Sequence, residues 1–382
     1  MRRAAGVLAV MLVLAGLTPT PAAAASVRLE VVRSPVVLGE RVRLTGAIQP
    51  GAAGEEIRIV DATGRVVARA TTGPHGGFAA GFVPTRNVWV GARWKGVGSP
   101  AVPVGVRARV STRLWEPRLF DLVRITGWVR PAVAGGHVRV VLTRGGVEVA
   151  RRWPRVHASG RYETELPVAR PGTYRAAARF DLPDLWAGTA ASGARAAPLP
   201  ALSSGAKGTF VGLLEHRLVG LGYRLDGVDG VYDVRTGDAV VAFHKVQGMP
   251  RRFAVSAATW RALAAPLRPK ARFRRPAAHI EIDQTRQVLY AVRDGRVAWI
   301  SHVSTGKPST PTYDGTFHVY RKVRGTYNSL YYPSYFDGGR AIHGWKDVPT
   351  YAASHGCVRF PFWNAVWIFR HAPIDTAVRI YH

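Results

Sequence analysis

The chain has 382 residues, 47% hydrophobic and 10% aromatic; this exceeds one ordinary core, suits two to four domains, and excludes global disorder. The formal net charge is +29, nearly all of it from arginine, since only seven of the 53 basic residues are lysine. Such a charge steers a protein toward polyanions (nucleic acid, anionic lipid or an acidic cell wall) without choosing among them, and a single cysteine, Cys357, excludes an intrachain disulfide.

Residues 1–25 have the layout of a secretory signal peptide. Arg2 and Arg3 precede an apolar run, 4–17, that is short for a membrane span. Pro19 and Pro21 break the run, and 22–25 are alanines suited to cleavage. Export removes nucleic acid as a partner, and no later stretch is long and apolar enough to cross a bilayer. An unpaired cysteine in an exported protein calls for a chemical reason.

An internal repeat follows, over 26–108 and 109–190. Gly39-Glu40-Arg41-Val42-Arg43-Leu44-Thr45-Gly46 aligns with Phe120-Asp121-Leu122-Val123-Arg124-Ile125-Thr126-Gly127, and Pro50 with Pro131, at an offset of 81 residues. Ile57-Arg58-Ile59-Val60 matches Val138-Arg139-Val140-Val141. Both copies alternate apolar and polar residues with period two between Gly, Pro and Asp, which predicts two tandem Ig-like β-sandwiches. They carry no catalytic constellation and read as spacers or binding modules. His75, His137 and His157 are scattered through them and read as surface residues.

An Ala-, Gly- and Pro-rich linker is expected at 191–205. Helical periodicity occupies 206–265: Val211, Leu214, Leu218 and Leu221, then Thr236, Ala239, Val240 and Phe243, then a short helix around Trp260. This stretch resembles the three-helix peptidoglycan-binding domain through Leu221-Gly222-Tyr223, Asp229-Gly230-Val231-Tyr232, Thr236, Ala239-Val240, Phe243 and Trp260. It departs at His244, where that family commonly has Gln, and at Asp233-Val234, where it has Gly-Pro. Residues 266–277, with Arg268, Lys270, Arg272, Arg274 and Arg275, read as a flexible, solvated basic tether that could touch wall polyanions.

The chemistry lies in 278–382. Strand patterns at 279–283, 287–292 and 297–303, with a hairpin signal at Asp294-Gly295, begin a β-rich domain. His343-Gly344 precedes Ser354-His355-Gly356-Cys357-Val358-Arg359, with Cys357 14 residues after His343. Cysteine acyl transfer needs a thiolate, an imidazole to take its proton, an acceptor to orient that imidazole, and main-chain N–H groups facing the oxyanion. Cys357 would be the nucleophile and either His343 or His355 the base. Gly356 lets the backbone approach the substrate, and Arg359 can hold a carboxylate by two parallel hydrogen bonds.

This cluster, with Ser304-Thr305-Gly306-Lys307 and 310–317 before it, resembles the L,D-transpeptidase catalytic domain of the YkuD family. The resemblance implies His343 as base, the Gly344 carbonyl as its orienter, and Ser354 and His355 shaping the site. It also implies a site tyrosine from the preceding segment. Tyr327, Tyr331, Tyr332 and Tyr335 are candidates, with Tyr332 taken as the substrate contact. The implied reaction forms 3-3 cross-links between peptidoglycan stem peptides through a thioester on Cys357. An L,D-carboxypeptidase using water on the same stems, or a non-catalytic wall-binding protein, remains open. No metal or organic cofactor is expected. The expected partners are stem peptides and glycan, with anionic wall polymers beside them, in an extracytoplasmic, wall-associated location. The fold expected is multidomain and mainly β.

Overall fold

A computed structural model describes residues 24–382; the expected signal peptide lies outside the described residues apart from its last two. In the first repeat, strands Ser26–Val31, Val42–Gln49 and Gly77–Phe82 form a three-stranded antiparallel sheet. Its apolar residues meet those of a second sheet that includes Glu56–Asp61, Val66–Thr71 and Val88–Trp94. The second repeat has the same plan, with Arg109–Leu114, Leu122–Arg130 and Arg161–Pro167 facing a sheet that includes Arg139–Arg144, Val147–Arg152 and Thr173–Leu182. Alternation places Val42 and Leu44 inside and Arg43 outside, as a half-buried strand requires.

The repeats share one device in their cores. Gly46 lies against Phe78, and Gly127 against Tyr162; a Cβ on either glycine would stand 2.3 or 2.4 Å from the facing ring. The two copies are not separate beads. Val106–Arg107 pairs in parallel with Val36–Val37 of the first copy, and Arg107 with Trp186 of the second, so one sheet runs through both. The expected linker at 191–205 is not a free connector. Arg195–Ala196 still pairs with Thr173–Leu182, Ala197 is buried in the sandwich core, and Leu202 bridges to Val255 of the helical segment.

Three helices follow: α1 Thr209–Gly220, α2 Val234–Val246 and α3 Ala257–Ala264. Asp233 caps α2 by accepting from the backbone N–H groups of Arg235 and Thr236 at 2.8 and 3.2 Å. The Glu215 carboxylate of α1 is buried and accepts from Thr236 Oγ1 (2.7 Å) and Gly230 N (2.9 Å), locking the intervening turn. His244 bonds the Arg252 carbonyl (2.9 Å) and Thr259 Oγ1 (3.0 Å), so its departure from Gln is accommodated by α3. Phe120 of the second repeat packs on Trp260, with the Arg217 guanidinium 4.9 Å from its ring centroid.

From Thr236 to Val246 every residue of α2 is buried. No helix standing on a tether could be covered on all sides; α2 is enclosed because strands Val288–Arg293 and Arg296–His302 pack against it. Tyr223 bridges to Ile300, and Arg251 donates to the carbonyls of Thr350 (2.7 Å) and Thr285 (2.9 Å). The basic segment 266–277 therefore does not act as a flexible tether. It lies along the sheet, where the N–H groups of Arg272 and Phe273 bind the buried Glu281 carboxylate at 3.0 and 2.8 Å. This cover buries His279–Asp283 along its whole length, where alternation alone predicts one wet face.

The last domain has two mixed sheets. One runs Arg296–His302, Val288–Arg293, His279–Asp283, Ala377–Tyr381, Gly315–His318; the other Arg321–Lys322, Leu330–Asp337, Arg340–Trp345, Val358–Pro361. Ile282, Leu289, Ile342, Val358 and Phe360 fill the space between them, and α4, Ala365–His371, covers part of the second sheet. Among the described residues no helix is long and apolar enough to cross a membrane, and no His, Cys, Asp and Glu group could hold a metal ion.

Candidate active site

Strand Arg340–Trp345 pairs in parallel with Val358–Pro361, with Ile342 opposite Val358 and His343 opposite Arg359. Cys357 therefore enters beside Ala341. Side chains two apart on a strand share a face, and directly paired residues point the same way. Ile342, Val358 and Phe360 face the core, which leaves His343, Cys357 and Arg359 together on the other face. The 14 residues between His343 and Cys357 are thus the return path of a parallel strand pair.

His343 is 2% exposed and its Nδ1 lies 3.0 Å from the Gly344 carbonyl oxygen. A carbonyl can only accept, so Nδ1 carries the proton and Nε2 is left as an acceptor. Burial holds this imidazole below the usual histidine range, the Gly344 bond opposes that, and the nearby Arg359 charge adds to it. Burial pushes the Cys357 thiol up, against a backbone hydrogen bond from Ala341 and the charges of Arg340 and Arg359. Both shifts favour the neutral forms, an imidazole and a thiol.

The loop before Cys357 is held on three sides. Ser354 is buried; its Oγ donates to the Cys357 carbonyl and accepts from Gly356 N at 3.2 Å. Thr312 Oγ1 donates to the Gly356 carbonyl (2.8 Å) and accepts from Gly306 N (2.8 Å). The N–H groups of Ala353 and Ser354 both reach the Thr305 carbonyl at 2.9 Å, and Lys307 N reaches the Ser354 carbonyl at 3.0 Å. The segment 304–307 is therefore a splint for the loop. Gln287 aligns the splint by accepting from Thr305 N (2.8 Å) and donating to Thr305 Oγ1 (2.6 Å).

Two glycines are required by geometry. Gly356 has φ +105°, and a Cβ there would lie 2.8 Å from Arg340 Nε. A Cβ on Gly344 would lie 2.7 Å from Ala365 Cβ and 2.8 Å from Tyr331 Cδ1.

Of the residues singled out in the sequence, Cys357, His343, Gly344, Ser354, Gly356 and Arg359 come together. His355 is exposed and lies outside this bonded network. Tyr332 does not join them. Its ring packs on Phe369 of α4 (5.1 Å) and on Tyr331 (4.8 Å), on the helix side of the sheet. The tyrosine on the Cys357 face is Tyr335, which pairs with Ala341. Arg359 stacks on Trp345 at 4.5 Å. Arg340 was not singled out from sequence. Its guanidinium bonds Asp337 (3.0 Å) and the Pro311 carbonyl (3.3 Å), lies 4.2 Å from the Tyr313 ring centroid, and borders Gly356. A turn that starts a strand three residues before the candidate base was its only sequence signal. A cavity of about 950 Å³ lies elsewhere, between the end of α2, the segment 267–272 and the sheet that contains Asp283, Tyr290 and Tyr381.

Residues 277–380 match the YkuD family, the L,D-transpeptidase catalytic domain. The solved L,D-transpeptidase of Xylanimonas cellulosilytica is 37% identical over 48% of this chain and 99% of its own, with a TM-score of 0.46. That of Stackebrandtia nassauensis is 22% identical over 47% and 95%, with a TM-score of 0.32. A mutant of the Enterococcus faecium L,D-transpeptidase is 28% identical over 28% and 50%, with a TM-score of 0.26. No curated protein matches the chain. Residues 277–380 thus form a YkuD-type L,D-transpeptidase catalytic domain.

Proposed function

We propose that this protein is an exported, wall-associated L,D-transpeptidase that uses Cys357 to form 3-3 cross-links between peptidoglycan stem peptides. The observation that carries the reading is the single face shared by Cys357, His343 and Arg359, with Nδ1 of His343 fixed by the Gly344 carbonyl. His343 Nε2 takes the thiol proton as the sulfur attacks the carbonyl of the third stem residue. The C–N bond to D-alanine then breaks, and the proton passes from Nε2 to the leaving amine. This leaves a thioester on Cys357. An amine of a neighbouring stem attacks it, gives its proton to His343, and leaves as the amide while the thiol is restored. The Cys357 N–H, on a loop held open at Gly356, faces the oxyanion. Arg359 meets a substrate carboxylate. The helical segment 206–265 presents the glycan to this domain from a fixed position.

The test is intact-protein mass spectrometry after incubation with a carbapenem, wild type beside Cys357→Ala, followed by product analysis on a stem tetrapeptide with and without a diamino acceptor. A covalent adduct on wild type alone and a cross-linked dimer are expected. Tripeptide alone, with acceptor present, would reassign the protein as an L,D-carboxypeptidase. Neither adduct nor turnover would leave a non-catalytic wall-binding protein.

A further inference from the structure

The two repeats are built alike, so each is a control for the other. Backbone register makes the positions equivalent: Arg28 faces Ala47 in the first copy as Ser111 faces Trp128 in the second, and Gly46 faces Phe78 as Gly127 faces Tyr162. Val32 N bonds the Arg43 carbonyl as Trp115 N bonds the Arg124 carbonyl, each at 3.0 Å. What the fold needs is present in both copies, namely the inward glycine with an aromatic ring against it and the apolar inner rows. The outer face of the three-stranded sheet is different. Where the first copy has Val32, Ala47 and Ala79, the second has Trp115, Trp128 and Glu163. The sandwich does not require these side chains, because its twin is built without them.

The outer residues of the second copy form an organised surface. Trp115 and Trp128 are each 39% exposed. Trp115 donates from Nε1 to Thr126 Oγ1 at 3.2 Å, with the guanidinium carbons of Arg113 and Arg124 at 4.3 and 5.5 Å from its ring. Glu163 holds Arg124 at 2.6 Å, and the Arg130 guanidinium is 5.9 Å from Trp128. Trp115, Trp128, Arg113, Arg124 and Glu163 line a groove of about 680 Å³. Trp115 stands opposite Arg124 and its indole reaches Thr126, whose next neighbour on that face of the strand is Trp128, so both indoles border the same groove.

We propose that this face binds the glycan strand of peptidoglycan, a polysaccharide bearing carboxylates. The C–H bonds of a pyranose ring present partial positive charge, which suits the negative face of an indole. The surrounding arginines suit the carboxylates, and Trp with Arg is the pairing that concentrates binding energy at interfaces. The proposal rests on the reading of the protein as a wall enzyme, but its site is remote from Cys357.

The test uses the full chain and purified insoluble peptidoglycan stripped of anionic polymers, at about 1 M salt, where a Debye length of about 3 Å suppresses non-specific attraction by the overall charge. The Trp115→Ala/Trp128→Ala variant is expected to bind at least fivefold less. Trp89→Ala, which removes an exposed tryptophan of the first copy, is expected to bind as wild type. Soluble glycan strands lacking stems should compete. Turnover of a soluble tetrapeptide and the thermal midpoint should be unchanged in all variants. Wild-type retention of the double variant, or an equal loss with Trp89→Ala, overturns the proposal. Absence of turnover with glycan binding intact would sink the enzymatic reading alone.

Discussion

Lys245 of α2 donates a hydrogen bond to Nδ1 of His302 at 2.6 Å, across the boundary between the helical segment and the catalytic domain. Its other two protons go to the carbonyls of Gln287 (2.9 Å) and Val303 (2.8 Å). His302 donates in turn from Nε2 to the Val348 carbonyl at 3.1 Å. The two residues are 3% and 0% exposed. An ammonium has three protons and accepts nothing, so this set is complete with a charged lysine and a neutral imidazole. Val303 leads into the splint 304–307, and Val348 into the loop that ends at Cys357. The helical segment thus braces the strand and the loop that build the candidate site.

Replacing Lys245 by Met keeps the length of the side chain and leaves two buried acceptors, His302 Nδ1 and the Val303 carbonyl, without their donor, while the Gln287 carbonyl keeps Val303 N at 3.1 Å. Each costs about 1–3 kcal/mol. Urea unfolding should show at least about 2 kcal/mol lost, with kcat/KM falling as the splint loosens. A variant as stable and active as wild type would show that the contact braces nothing.

Stability should also fall in acid. Burial and the Lys245 charge hold His302 well below the usual histidine range, with Arg251 acting the same way. Burial lowers His244 and His343 as well. Each folded imidazole resists a proton that the unfolded chain accepts, so its stabilisation is present above about pH 6.5 and is lost as pH falls below it. Asp238 opposes this. Burial pushes its carboxyl up to about 6, so between about pH 4 and 6 the folded state holds the extra proton. His302→Gln should therefore flatten the slope of unfolding free energy between pH 6 and 5 by about one proton, or about 1.4 kcal/mol per pH unit. An unaltered slope would place the titrating group elsewhere.

The acylation profile follows from the same site electrostatics. With the His343 imidazole held low and the Cys357 thiol pushed up, the proposed base is free and the thiol protonated across neutral pH. The rate of adduct formation should rise with an acid midpoint below about 6.5 and stay flat to above about 8.5. Alkylation of Cys357 by iodoacetamide, which needs thiolate, should be slow at pH 7 and fast only in base. Fast alkylation at pH 6 would indicate a resting thiolate–imidazolium pair instead.

Much of the site was legible because it is local. His343-Gly344 and 354–359 are two short runs on adjacent parallel strands, and the chemistry demands those residue types in that order. The period-two rows at 42–48 and 123–129 likewise determine which residues of the sandwiches face inward. What was not legible depends on contacts distant in the chain. Lys245 and His302 are 57 residues apart, and each in isolation resembles an ordinary surface helix charge or strand residue. The segment 266–277 reads as a solvated tether from its charge, yet its main chain is pinned by Glu281, and nothing local in 266–277 announces that partner. Tyr332 and Tyr335 differ only by strand register, and the irregular pairing between Tyr331 and Ser334 defeats simple counting there.

Gly344→Ala tests the packing behind the proposed base. The added methyl meets Ala365 Cβ, which has no rotamer to yield, and Tyr331, which is stacked on Phe362 at 3.9 Å. The strand must shift, and the carbonyl holding His343 shifts with it. Such overpacking costs about 1–3 kcal/mol. The thermal midpoint should fall, and kcat should fall more than substrate affinity. Loss of stability with normal kcat would separate the packing from the orientation of His343.

Tyr335 is the side chain to test for oxyanion contact. It pairs with Ala341, whose other neighbour is Cys357, so its ring shares the candidate site's face. The ring is 7% exposed, and the hydroxyl makes no hydrogen bond among the described residues. Burial raises its pKa despite the Arg321 charge, so the hydroxyl keeps its proton and can donate it. Removing one oxyanion donor typically costs about 10²–10³ in rate. Tyr335→Phe should slow acylation by about 10², with the fold unchanged, whereas Tyr332→Phe should stay within about twofold, since that ring serves only the α4 packing. The reverse result would move the donor to the helix side and restore Tyr332 as the substrate contact.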